Sequence, residues 1–133
     1  MIIFNITSFK CLVTPIRIWA HKAYGIIAGI EINHEFHGRE DLKKGCNEYK
    51  IDLDNIDPLA TIKFKKCTHD DDYIGIVEFI RKSGRIHGPY GEENNSNEDV
   101  VVTFPDRFQW TQIRVELDEE KMPSNIEYKG IIK

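Results

Sequence analysis

Two residues is the repeat length along much of this chain. Ile113, Val115 and Leu117 alternate with Gln112, Arg114 and Glu116, and Ile62 and Phe64 alternate with Lys63 and Lys65. Successive side chains of a strand point to opposite faces, so the pattern predicts strands with one dry and one wet face. A helix would need apolar residues three and four apart, and only residues 38–47, GREDLKKGCN, have helical composition; Gly45 limits that helix to about two turns. Residues 24–32 and 73–80 are apolar on both parities, which predicts central strands packed on two sides.

Further strands are expected at residues 2–9, 12–19, 99–104 and 126–132. Ser83-Gly84 supplies the turn of a hairpin, and Asp57-Pro58 closes another turn. Pro15 lacks an N–H, which predicts an edge position or a bulge for the second strand, and Gly25, Gly29 and Gly75 predict bends or close approach of neighbouring chains. No internal repeat is visible in the residues. At 133 residues the chain has the length of one ordinary domain. The expectation is therefore a single all-β domain over residues 1–133: an antiparallel sandwich or a curved, partly closed barrel of about eight strands, with at most one short helix near residues 39–46.

Eighteen Lys and Arg stand against 22 Asp and Glu, a net charge of −4. The segment 87–99, HGPYGEENNSNED, holds Glu92, Glu93, Glu98 and Asp99 and no Lys or Arg, so it carries as much negative charge as the whole chain's excess. That balance argues against a general nucleic-acid binder, which needs a basic surface, and leaves Lys43, Lys44, Lys63, Lys65 and Lys66 as a solvated face. Three cysteines, Cys11, Cys46 and Cys67, are an odd number without short spacing and point to a reducing compartment. The first ten residues read as a strand and not as a signal peptide, and the longest apolar run is far below the ~18 residues that cross a bilayer, so a cytoplasmic location is expected.

The chain has no Gly-x-Ser-x-Gly elbow, no Gly-x-Gly-x-x-Gly turn and no Walker loop. Nucleophilic and nucleotide-dependent chemistry are accordingly not expected. His34 and His37 with His69 and the neighbouring Asp70, Asp71 and Asp72 are the residue types of a metal-assisted hydrolase, but His34 and His37 point to opposite faces if they share a strand. His87 beside Arg85 and Tyr90 is a further polar cluster.

Three functional readings follow. The first is a non-enzymatic protein-binding module, a small inhibitor or immunity-type protein without cofactor or metal. Its acidic loops would cover a basic partner such as a nuclease toxin, because complementary charge speeds association and fixes orientation. Its contact residues would be Glu92, Glu93, Glu98, Asp99, Asp70, Asp71 and Asp72, with Tyr90 and Trp110 as aromatic anchors. The second is a small-ligand or sugar-binding β domain with a pocket lined by Tyr24, Tyr73 and Trp19. The third is the metal-assisted hydrolase. An exposed sheet edge near Pro15 or in residues 126–132 is open to pairing with a second copy or a partner.

Overall fold

The computed structural model describes residues 2–5, 15–32, 34–52, 56–57, 59–67, 73–92, 98–103 and 108–132. Within them the chain forms β1 (Ile2–Asn5), β2 (Ile16–His21), β3 (Ile27–Ile32), β4 (Glu35–Gly38), a 3-10 helix (Glu40–Gly45), β5 (Cys46–Ile51), β6 (Leu59–Cys67), β7 (Tyr73–Arg81), β8 (Ile86–Gly91), β9 (Glu98–Thr103), β10 (Phe108–Leu117) and β11 (Pro123–Ile132). The all-β class and the one short helix are as expected. The strands number eleven among the described residues and divide among three antiparallel sheets, with no closed barrel.

The sheet orders are β4-β3-β2-β5, β8-β7-β6-β9 and β1-β10-β11. In each of the first two, three strands follow one another as hairpins and the fourth returns beside the first, which is a Greek key. The third sheet carries the same leading hairpin, β10–β11, with the N-terminal β1 in the returning position next to β10. A threefold structural repeat therefore organises a chain whose sequence shows none.

Period-two alternation sets what each sheet buries. On β2, Ile16, Ile18 and Ala20 point inward and are buried, while Arg17 reaches across the outer face to Glu31 at 2.5 Å and Glu48 at 3.1 Å. Inward residues of all three sheets, among them Ile18, Ile51, Phe64, Phe79, Val115 and Ile126, join in one apolar cluster. Each fully buried side chain of this size contributes about 1.5–3 kcal/mol relative to exposure. The strands expected to be central, β3 and β7, do lie inside their sheets.

Two local expectations change. β2 is an interior strand, not an edge, because it starts at Ile16, one residue after Pro15, so the missing N–H removes no ladder bond. The bulge expected with Pro15 falls instead between Trp19 and Ala20. The segment following Ile86 is strand up to Gly91, so the first five residues of HGPYGEENNSNED belong to β8 rather than to a loop.

Candidate functional site

Hydrogen bonds between turns define one end of the molecule. Glu92 N donates to Gly25 O at 2.6 Å, Lys22 N to Gly45 O at 2.9 Å, and Arg39 Nη1 to Glu120 O at 3.5 Å. These bonds gather the β2–β3 turn, the end of the 3-10 helix, the end of β8 and the β10–β11 turn. The β2–β3 and β10–β11 turns hold the same place in their respective sheets.

The β2–β3 turn presents Tyr24, 61% exposed. Its ring stacks on His21, with centroids 4.5 Å apart and planes inclined by 20°. His21 Nδ1 accepts the N–H groups of Ala23 and Tyr24, both at 3.2 Å, which fixes the imidazole and with it the angle of the tyrosine. Gly25 adopts φ +69°, and a Cβ there would sit 2.7 Å from Glu92 Cβ; only glycine lets the Glu92 side chain lie against the turn. The outcome is an exposed aromatic face held rigid from behind, with a carboxylate alongside.

The β10–β11 turn is held by Asp118, whose Oδ1 accepts from Glu120 N at 2.8 Å and Met122 N at 2.9 Å. Beside it Arg39 forms a two-pronged pair with Asp41, Nε to Oδ1 at 2.7 Å and Nη2 to Oδ2 at 2.5 Å. That pair raises the guanidinium pKa and lowers the carboxyl pKa. The opposite end of the molecule is tied by Arg81, which donates to His87 Nε2 at 2.8 Å, to Asp57 O at 3.0 Å and to Asp52 O. Burial, then the Arg81 and Arg85 charges, push the His87 pKa down.

Among the sequence candidates, Glu92 stands at the Tyr24 turn. Asp99 is the second residue of β9 and pairs with Lys65 at 3.8 Å on the outer face of the second sheet, which makes it a cross-strand partner rather than a loop residue. Tyr90 stacks on Tyr49 of β5, centroids 4.4 Å apart, in the seam between two sheets; burial raises its pKa. Glu98 falls at the start of β9 and Trp110 in β10. Glu93, Asp70, Asp71, Asp72 and His69 lie outside the described residues.

The structure does not bring His34 and His37 together. His34 is exposed in the turn before β4 at φ +64°, whereas His37 turns into the interior at 8% exposure, where burial lowers its pKa against the opposing effect of Glu35. No group of three or more His, Cys, Asp or Glu placed to hold a metal ion occurs among the described residues. Nor do Tyr24 and Trp19 share a pocket. Trp19 does occupy the outward parity of β2, but Phe36 meets it edge-on at 5.0 Å and Lys43 Nζ lies 4.8 Å above its ring, leaving it 8% exposed. Sequence reading marked Gly25 as a bend or close approach and missed His21, whose partners are set by turn geometry.

No family model matches the chain, and no curated protein matches it in sequence. Its fold does match solved structures. Frutapin, a lectin from Artocarpus incisa, superposes with a TM-score of 0.72 at 13% identity, covering 98% of this chain and 89% of that one. Jacalin in its T-antigen complex gives 0.70 at 12% identity over 96% of this chain and 97% of its own. A galactose-specific lectin from Artocarpus hirsuta, in complex with methyl-α-D-galactose, gives the same values. The expectation of an inhibitor or immunity-type protein that covers a basic toxin is corrected by these neighbours, which are sugar-binding lectins. Of the acidic residues assigned to that partner, Asp99 has a cation of its own chain nearby, Lys65 at 3.8 Å. In three-sheet architecture the chain is similar to the β-prism of the jacalin-type lectins.

Proposed function

We propose that this chain is a carbohydrate-binding protein that holds its ligand without converting it, at the end of the molecule that carries Tyr24. The observation that carries the reading is the likeness of nearly the whole fold to lectins, with TM-scores of 0.70 to 0.72 in the structures compared above. The geometry of the Tyr24 turn supports the location. A hexose offers an apolar C–H face and a rim of hydroxyls. Tyr24 supplies a flat, rigid surface for the first, and the Glu92 carboxylate beside it is a strong acceptor for the second. Because His21 already fixes the ring, little side-chain freedom is lost on binding.

A neutral hexose is the expected ligand, of the kind named in the Artocarpus hirsuta complex. Screening the protein on an array of neutral mono- and oligosaccharides, followed by calorimetric titration of the best ligand, tests the reading. The wild-type chain is expected to bind, and Tyr24→Ala to bind about tenfold more weakly, equal to about 1.4 kcal/mol. The melting temperature of that variant should not change, since Tyr24 is 61% exposed. Failure of the wild type to retain any glycan would overturn the proposal. Binding by Tyr24→Ala equal to wild type would move the site away from this turn.

A further inference from the structure

Edge strands invite pairing, and proteins blunt them with short length, charge, Pro or Gly. The outer strands of the three sheets show these devices unequally. β1 and β4 have four residues each, β5 carries exposed Glu48 and Lys50, β8 contains Gly88, Pro89 and Gly91, and β11 carries Lys129. β9 differs. Its six residues, EDVVVT, include no Lys, Arg, Pro or Gly, and its two charges, Glu98 and Asp99, are confined to the first two positions. It pairs with β6 on one side and, among the described strands, has no neighbour on the other.

The side chains of β9 suit an apolar joint. Val100 and Val102 pack toward the core, while Val101 points outward at 57% exposure. Val101 also borders a groove of about 380 Å³ lined by Lys63, Ile76, Glu78 and Pro89. The acidic residue beside the valines, Asp99, lies 3.8 Å from Lys65 of β6 and keeps its side chain exposed.

We propose that β9 is a self-association edge, on which a second copy of this chain docks its own β9 antiparallel about a twofold axis near Val101. The two four-stranded sheets would then continue as one sheet of eight strands, and the contact is isologous. Charge selects this orientation. Antiparallel pairing centred on Val101 sets Asp99 of one copy opposite Thr103 of the other and places the two acidic ends at opposite ends of the joint. Parallel pairing would set carboxylate against carboxylate. Of the two open edges expected from the sequence, the one near Pro15 is not formed, because β2 lies inside its sheet, whereas residues 126–132 do lie in the edge strand β11.

Analytical ultracentrifugation over a concentration series tests the joint. The wild-type chain is expected to sediment as a dimer that dissociates on dilution, and Val101→Lys as a monomer with unchanged circular dichroism. A wild type that stays monomeric at hundreds of micromolar, or a folded Val101→Lys that stays dimeric, overturns the proposal. Should Val101→Lys fail to fold, hydrogen exchange on the wild type decides. Protection of the β9 amides that rises with protein concentration supports the joint, and protection independent of concentration refutes it.

Discussion

Arg81 is a cation at 5% exposure whose guanidinium serves two carbonyl oxygens, Asp52 O and Asp57 O, and one imidazole nitrogen, His87 Nε2. Replacing it with Met keeps the stem but removes the donors. Each buried acceptor so abandoned costs about 1–3 kcal/mol, so Arg81→Met should lower unfolding stability by about 3 kcal/mol in urea titration. The same contact makes a pH prediction. His87 accepts from Arg81 and so must be neutral in the fold, and burial with the Arg81 and Arg85 charges depresses its pKa below the usual 6.5. The unfolded chain then binds more protons than the folded one just below that value. This contribution to stability is complete above about pH 6.5 and is lost as pH falls through the folded pKa. Melting temperature should drop between pH 7 and pH 5, and His87→Gln, which can accept from Arg81 without titrating, should reduce the drop. His37, whose pKa burial also lowers, sustains the remainder. The sequence set His87 beside Arg85 and Tyr90; its contact with Arg81 was not named, because it runs diagonally across the hairpin, where the direct partner of His87 is Phe79.

Period-two alternation makes strands legible only where the buried parity is apolar. β2, β3, β6, β7 and β10 meet that condition and were readable to within a few residues. β4, EFHG, places His37 inward, and β5, CNEYKI, is mostly exposed before Ile51, so neither shows a dry face in sequence. These two strands are held by neighbours. β4 lies against β3 at Gly29, where an added Cβ would sit 2.2 Å from the Phe36 ring. Gly29 is thus the cavity into which Phe36 fits while it covers Trp19. Gly29→Ala should displace that ring and cost about 1–3 kcal/mol, as overpacking does. Tryptophan fluorescence should shift to the red as Trp19 gains solvent, and an unchanged spectrum would show that the ring relocates without uncovering it. The sequence had marked Gly29 as a close approach, but the residue approaching it was set by the β3–β4 register.

At the scale of the molecule, the threefold structural repeat was illegible because it resides in the path of the backbone. A returning strand needs little more than a compatible edge to pair with, and sequences as unlike as CNEYKI and EDVVVT fill the same position in two sheets. The candidate site was legible in part. Tyr24 and Glu92 were named separately, the first for a pocket and the second for an acidic loop, and the bond from Glu92 N to Gly25 O joins them. The path of the strands also sets the geometry of an assembly. Glu98 of β9 lies on the same end as Glu92, and the strand runs away from the Tyr24 turn. Two copies joined by antiparallel β9 strands would therefore direct their Tyr24 ends in opposite directions, and such a dimer can bridge two sugar-bearing surfaces. The expected outcome is that the wild-type chain aggregates beads coated with its hexose ligand, whereas Val101→Lys binds the same hexose with unchanged affinity but leaves the beads dispersed. Tyr24→Ala should fail at both tasks at low concentration while it still sediments as a dimer. A Val101→Lys monomer that still aggregated the beads would show that one copy carries two sugar sites, and the equivalent turn at Asp118 would then be the place to mutate.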